Sequence, residues 1–358
     1  MERFGTALKR IADVGLSRFE LSVLYRRKER AENGKPVIVE VKDMFEELIP
    51  KLRNARCIGI FAHTNPDGDA MGSAYSLKLA LQSLGKRAEV YLCPNADGMA
   101  KKLAAGKQDS GLEKEDCDLL AAVDCGDADR LGIFRDFFLS HENTIAIDHH
   151  ITHQPFAGAQ VVRDISSCCE LMVNLYREMG ISLTLEMAQN LYMGMVSDTG
   201  NFKYSCVTGD TLRTAAELLE TGIDFAGISK KLFDTKSAEY YKLMRTALDR
   251  LAFYADGQIA VLYLGQEDFE AAGLDEFRAV GIVTLPTSVE GVEAGVYVRG
   301  RGAGEYKVSL RSVNRVDVAA VASALGGGGH VRASGYTVSQ MPPEDIIKRA
   351  VEEIQKQL

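Results

Sequence analysis

Residues 61–73 read FAHTNPDGDAMGS and place His63, Asp67 and Asp69 within seven residues, around a proline and a glycine and directly after an apolar run. A surface turn uses one Asp for its backbone hydrogen bonds and gains nothing from two acids and an imidazole. A divalent cation does need such a cluster. Acids and imidazoles recur in three more segments: AAVDCGD ends in Asp124 and Asp127, AIDHH in Asp148, His149 and His150, and GMVSDTGNF holds Asp198 beside Gly200. The chain has six histidines, and four of them (His63, His149, His150 and His153) fall in or beside these segments. Carboxylates with a minority of imidazoles suit Mn²⁺ or Mg²⁺ better than a thiolate zinc site would. Two such ions, roughly 3.5–4 Å apart, activate a water and stabilise both oxygens of an in-line phosphoryl displacement. They need a bridging carboxylate and several further ligands, and this inventory suffices.

Taken singly, each segment is weak: PDGD is an ordinary turn, and a His pair after a strand is often a surface feature. Specificity comes from the four together, each at the end of an apolar element. CIGIFA (57–62), AEVYLC (88–93), LLAAVD (119–124) and TIAID (144–148) read as short buried strands, and AQVV (159–162) precedes the later helices. Residues 69–85 read as a helix stopped by Gly85, with further helices over 167–179 and 185–197. This alternation predicts an α/β fold with a mainly parallel open sheet covered on both faces. Ligands of such sheets bind beyond the carboxyl ends of the strands, where the acids and imidazoles fall. VKDMFEELIPKLRN (41–54) reads as an amphipathic helix with a late proline, and residues 1–40 as an N-terminal helical appendage. The stretch 211–254 is helical and charged, a linker or a helix bridging two domains. Beyond it QIAVLYL (258–264), EAGVYVRG (293–300) and EYKVSLRS (305–312) predict a mixed sheet, and a helix near 317–325 runs into GGGGH and then ASGYTV (333–338). The expected organisation is a catalytic domain over 41–210 and a smaller mixed α/β domain over 255–358.

A length of 358 residues suits two domains. The composition, 46% hydrophobic and 26% charged, is that of a globular chain with a real core. A net charge of −8 makes no case for non-specific nucleic-acid binding, so an anionic substrate must be held by local basic residues or by metals. No apolar run approaches the ~20 residues of a membrane span. The N-terminal MERFGTALKRIADVG carries acids and no continuous apolar stretch, which argues against a secretory signal. Seven cysteines without a CxxC pair read as reduced thiols in a cytoplasmic protein. GDAMGS is no dinucleotide fingerprint and no GxxxxGK[ST] occurs, so hydride-transfer and P-loop chemistry are disfavoured.

HTNPDGDAMGS, AVDCGD, IDHH and SDTGNF resemble, in order, the four motifs of the DHH phosphoesterase superfamily. GGGGHVRASG (326–335) resembles the glycine-rich signature of its C-terminal DHH-associated domain, and the compact length is similar to the nanoRNase/pAp phosphatase group. RecJ-type exonucleases would bring extra domains, cyclic-di-AMP phosphodiesterases membrane segments, and inorganic pyrophosphatases a different C-terminal domain. The resemblance implies two Mn²⁺ ions, with Mg²⁺ or Co²⁺ as substitutes. One would be held by His63, Asp67 and Asp124, the other by Asp69, Asp124, His149 and Asp198. It also implies that His150 lies near the reacting phosphate, as charge stabiliser or leaving-group acid, and that Asp148 orients a neighbouring ligand. Two positions depart from the pattern: His153 stands where many members carry Asn, and Ser334 where a second Ala is more usual.

Four successive glycines let a backbone approach an anion closely, although alone the run would read as a helix terminator. Around it lie Arg299, Arg301, Lys307, Arg311, Arg315 and Arg332 against Glu305 and Asp317, a local basic face suited to phosphate. By charge and by the resemblance, the expected substrate contacts are Arg311, Gly327, Gly328, Gly329 and His330. The expected function is hydrolysis of very short RNA or 3′-phosphoadenosine 5′-phosphate in a cleft between two domains, with no membrane partner and a homodimer left open. An exopolyphosphatase-like phosphoanhydride hydrolase and a non-catalytic nucleotide-binding protein are the alternatives.

Overall fold

The computed structural model describes residues 44–93, 104–108, 111–275, 279 and 281–358, with the backbone alone of 28–30 and 36–38. Those two short pieces, β1 (Lys28–Arg30) and β2 (Pro36–Ile38), pair antiparallel. The rest of the expected N-terminal appendage lies outside the described residues. Helix α1 (Leu48–Asn54) begins later than the 41–54 pattern suggests, and Pro50 falls in its first turn, where a missing N–H costs nothing.

Five parallel strands follow: β3 (Cys57–Phe61), β4 (Arg87–Tyr91), β5 (Leu119–Val123), β6 (Thr144–Asp148) and β7 (Ala159–Val162), in the order β4-β3-β5-β6-β7. β5 and β6 are buried along their whole length, as strands covered on both faces must be. Their side chains alternate between two cores. Ile58, Ile60, Leu119, Ala121, Val123, Ile145 and Ile147 meet α2 (Gly68–Ser83), α4 (Cys168–Met179) and α5 (Leu185–Asp198). Phe61, Leu120, Ala122 and Ala146 pack on the other face with Phe138 of α3 (Arg135–Ser140).

The stretch read as a linker or a bridging helix holds three helices, α6 (Gly209–Glu220), α7 (Phe225–Ser229) and α8 (Ala238–Asp249), with a π turn at Lys230–Asp234. Ala215, Leu218 and Ile228 join the first core, whereas Tyr240, Leu243 and Ala247 pack against the second sheet. The last residues of the stretch form a strand, β8 (Ala252–Tyr254). It opens a six-stranded sheet with β9 (Ile259–Leu264), β10 (Ala294–Gly302), β11 (Glu305–Ser312), β12 (Gly328–His330) and β13 (Ala333–Ser339), in the order β12-β13-β11-β10-β9-β8. β9 and β10 are parallel and the other pairs antiparallel, so the sheet is mixed as expected. One face packs on α10 (Val318–Ala324) and α11 (Pro343–Gln355), the other on α8 and α9 (Gln266–Ala272). Glu293, ahead of β10, accepts the N–H groups of Asn314 (3.0 Å) and Val316 (3.1 Å) and so holds the turn after β11. No helix among the described residues is long and apolar enough to cross a membrane.

Candidate metal centre

The sheet order reverses at β3, because the chain runs out to β4 and returns past β3 to β5 on its other side. The carboxyl ends of strands at such a reversal form a crevice. β3 leads into it through His63 to Asp67, whose Oδ1 caps α2 by accepting the N–H groups of Asp69 (3.0 Å) and Ala70 (3.1 Å). Capping leaves the second oxygen of Asp67 for another partner. Asp69 is fully buried and accepts the N–H groups of Cys168 (2.6 Å) and Cys169 (2.8 Å) at the start of α4, which fixes its carboxylate in place.

β5 runs into Asp124, whose backbone adopts φ 53° and whose N–H donates to the Ile147 carbonyl at 2.9 Å. Just after Asp198, at the end of α5, Gly200, Asn201 and Phe202 take the same left-handed region (φ 56°, 60° and 62°). Non-glycine residues there cost roughly 1–2 kcal/mol each, and such strain collects at functional sites.

The donor atoms converge. His149 Nε2 lies 3.1 Å from Asp198 Oδ2, 3.4 Å from Asp124 Oδ1 and 3.7 Å from Asp69 Oδ2. His63 Nε2 lies 3.8 Å from Asp124 Oδ2. Three groups have donor atoms within 4.8 Å of one another: His63, Asp67 and Asp124; Asp69, His149 and Asp198; and Asp124, His149 and His150. Burial raises the carboxyls of Asp69, Asp198 and Asp124, the last to about 6, and neighbouring acids add to the rise. Burial would lower His149, yet the close carboxylates of Asp124, Asp198 and Asp69 push it up to about 12. Burial lowers His63, and the nearby Arg130 charge acts in the same direction. The cluster is thus rich in acids and short of positive charge. Oδ1 of Asp124 is buried without a hydrogen-bond partner, a loss of about 1–3 kcal/mol for an acceptor left unmade. A divalent cation is the partner that fits this set of donors.

Asp148 stands apart from that cluster. It is fully buried and accepts hydrogen bonds from His150 Nδ1 (2.7 Å) and His153 Nδ1 (2.6 Å). Burial alone would raise its carboxyl, but the two imidazoles outweigh it and hold the group at about 2. With Nδ1 engaged, the Nε2 of His150 is left 3.4 Å from Arg130 Nη1. The sequence reading passed over Arg130. Its available signal was the spacing to Asp127, whose Oδ1 accepts the Arg130 N–H at 3.0 Å.

On the second sheet, Lys307, Ser309 and Arg311 alternate along β11 and share one face. With Gly328, Gly329, Ser334 and Thr337 they line a cavity of about 400 Å³. Burial lowers the pKa of Arg311, and Tyr204, from the segment after Asp198, lies nearby. Gly327 and His330 do not line this cavity. A Cβ on Gly327 would stand 2.3 Å from the Gly335 carbonyl, so that glycine serves close packing on β13. His330 is exposed at the end of β12. The glycine run is therefore half edge strand rather than an open loop. Lys307 was read as part of the basic face but not as a substrate contact, and Ser309 was missed, although their period-two spacing with Arg311 was a usable signal.

The description "DHH family, N-terminal domain" matches residues 57–195, and "DHHA1 domain" matches residues 256–358. A bifunctional oligoribonuclease and PAP phosphatase NrnA of Thermus thermophilus is 33% identical over 305 residues, 84% of this chain and 90% of the relative. The crystal structure of an exopolyphosphatase-related protein from Bacteroides fragilis has a TM-score of 0.78 at 26% identity, covering 87% of this chain and 96% of that one. RecJ of Thermus thermophilus in complex with Mn²⁺ has a TM-score of 0.50 at 14% identity, over 93% of this chain and 56% of that one, a likeness of fold alone. These findings bear out the resemblance carried by the four motifs and the glycine-rich signature. The chain belongs to the DHH family, as a phosphoesterase with a C-terminal DHHA1 domain.

Proposed function

We propose that this chain hydrolyses phosphate esters in very short RNA and in 3′-phosphoadenosine 5′-phosphate, using two divalent ions, Mn²⁺ first, at the tails of β3, β5 and β6. The observation that carries the reading is the convergence of acids and imidazoles around the buried, unpartnered Oδ1 of Asp124. His63, Asp67 and Asp124 would hold one ion, and Asp69, Asp124, His149 and Asp198 the other, with Asp124 shared. Bound there, such ions supply charge neutralisation and an activated water. Asp148 holds His150 by Nδ1, which leaves Nε2 to steady charge on the reacting phosphate or to pass a proton to the leaving oxygen. Lys307 and Arg311 offer positive charge to a second phosphate that is not cleaved, and Gly328 and Gly329 let it approach the backbone. His330, beside them at the end of β12, is the further donor in this reading.

The Thermus relative, named for oligoribonuclease and PAP phosphatase activity, supports the substrate class. The Bacteroides structure, named as exopolyphosphatase-related, favours a second reading in which polyphosphate uses the same centre and pocket. All seven cysteines are unpaired thiols, which supports a cytoplasmic setting. The test is purified protein with Mn²⁺ against RNAs of increasing length, the bisphosphorylated nucleotide and polyphosphate. RNAs of a few nucleotides and the bisphosphate should turn over fastest. Asp124→Asn should cut both by ~1,000-fold or more in a folded protein, the scale of several kcal/mol of charge stabilisation. A preference for polyphosphate or long RNA overturns the substrate assignment. Wild-type turnover in folded Asp124→Asn overturns the metal reading.

A further inference from the structure

Arg130 sits in the short 3₁₀ helix (Asp129–Phe134) that follows the turn after β5, and its backbone is tied at both ends. Its N–H donates to Asp127 Oδ1 (3.0 Å), and its carbonyl accepts the N–H of Thr64 (2.8 Å). The second bond joins the two segments that carry His63 and Asp124. The side chain is half-buried and reaches back over Gly126, so that a Cβ there would lie 3.8 Å from Nη1 and 3.7 Å from His150 Cβ. The guanidinium thus comes beside His150 at the mouth of the crevice, 3.4 Å from Nε2. That distance is too long for a strong hydrogen bond.

A guanidinium is always charged, and taking it partly out of water without an anion is unfavourable. Arg130 forms no ion pair among the described residues. The fully buried Asp148 close by is already engaged by two imidazoles. What the position lacks is an anion between Arg130 and His150, and a planar fork of donors suits a phosphoryl group with its oxygens spread around phosphorus.

We propose that Arg130 contacts the phosphate undergoing hydrolysis, opposite the acidic cluster and beside His150. This rests on the phosphoesterase reading above and adds a residue to it. It gives the two arginines separate tasks: Arg311 grips a phosphate that survives, and Arg130 the one that reacts. Substrates with a single phosphate and substrates with two therefore depend equally on Arg130.

The experiment compares wild type, Arg130→Gln and Arg130→Lys in the Mn²⁺-loaded full chain. Calorimetry follows Mn²⁺ binding and then inorganic phosphate binding, and kinetics are read on an aryl phosphate ester and on a dinucleotide. The backbone ties do not involve the side chain, so Mn²⁺ affinity and melting temperature should stay at wild-type values in both variants. Arg130→Gln should lose phosphate affinity by about ten- to a hundred-fold, the range of a charge-assisted hydrogen bond. It should lose kcat/KM by a similar factor on both esters, and Arg130→Lys should recover part of each loss. Unchanged phosphate affinity, a loss confined to the dinucleotide, or parallel loss of Mn²⁺ in both variants would each overturn the assignment. Wild type without Mn²⁺-dependent hydrolysis of any ester would instead sink the parent reading, while the phosphate titration would still decide on Arg130.

Discussion

Asp148 and His153 show how much a single side chain can settle. A metal-centre histidine needs its ring held, and here one buried carboxylate holds two rings at once, with His150 at 2.7 Å and His153 at 2.6 Å. His153 stands where the family pattern often has Asn, and an Asn amide can donate to the same oxygen. His153→Asn should therefore leave turnover within a few-fold of wild type. His153→Ala strands one oxygen of a fully buried carboxylate and frees Asp148 to shift, so His150 loses its fixed orientation. Loss of such an orienting partner typically costs about 10- to 100-fold in activity. The kcat of the two variants, with Mn²⁺ binding measured alongside, checks this. Equal loss in both would mean that the imidazole itself is required.

At the scale of elements, α2 and α5 bring two of the acids together because glycine lets them pack closely. Asp69 lies in the first turn of α2 and Asp198 at the last position of α5. A Cβ on Gly194 of α5 would stand 2.2 Å from Cys169 Sγ and 2.8 Å from Asp69 Oδ1, and one on Gly72 of α2 would stand 2.4 Å from the Asn190 carbonyl. These atoms are backbone or fully buried, so they have little room to yield. Gly194→Ala should destabilise the protein by about 1–3 kcal/mol through overpacking. Because the clash falls on Asp69, it should also weaken Mn²⁺ binding. A thermal melt and a Mn²⁺ isotherm on the same variant test both parts. A lower melting temperature with unchanged Mn²⁺ affinity would show that Asp69 is not a ligand.

At the scale of the whole molecule, two sheets with separate cores contribute different charges. The first gathers acids at its carboxyl edge, and the second presents Lys307 and Arg311 along one strand face. Tyr204, only a few residues beyond Asp198, lies near Arg311, so the basic strand approaches the fourth acidic segment. Arg311→Ala should raise KM for a dinucleotide by about ten- to a hundred-fold, the range of one charge-assisted contact. An aryl ester, which has no second phosphate, should be nearly unaffected. Steady-state kinetics on the two substrates decide it, and equal losses would assign Arg311 to the fold or the chemistry.

Most of the architecture was legible in the chain. Leu119–Val123 and Thr144–Asp148 must be strands of a covered sheet, because continuous short apolar runs closed by an acid have few other uses. The residue types that hold cations are few, so His63, Asp124, His149 and Asp198 stand out as soon as they recur at strand ends. For the stretch 211–254, read as a linker or a bridging helix, charge and helical propensity do not reveal which core each turn joins. Ala215 and Ala247 are alike in sequence, apolar positions of charged helices, and join different cores. Strand order was also beyond the sequence, and with it the fact that the tails of β3 and β5 flank one crevice. So was the state of individual atoms: the buried Asp124 Oδ1 without a hydrogen bond, the two rings on Asp148 and the pairing of Gly328–His330 with β13. Sequence patterns report which side chains prefer burial or water, a property of each short stretch. Which oxygen stays unpartnered depends on neighbours such as His63 and Asp124, far apart in the chain, and only the packed tertiary structure brings them within 3.8 Å.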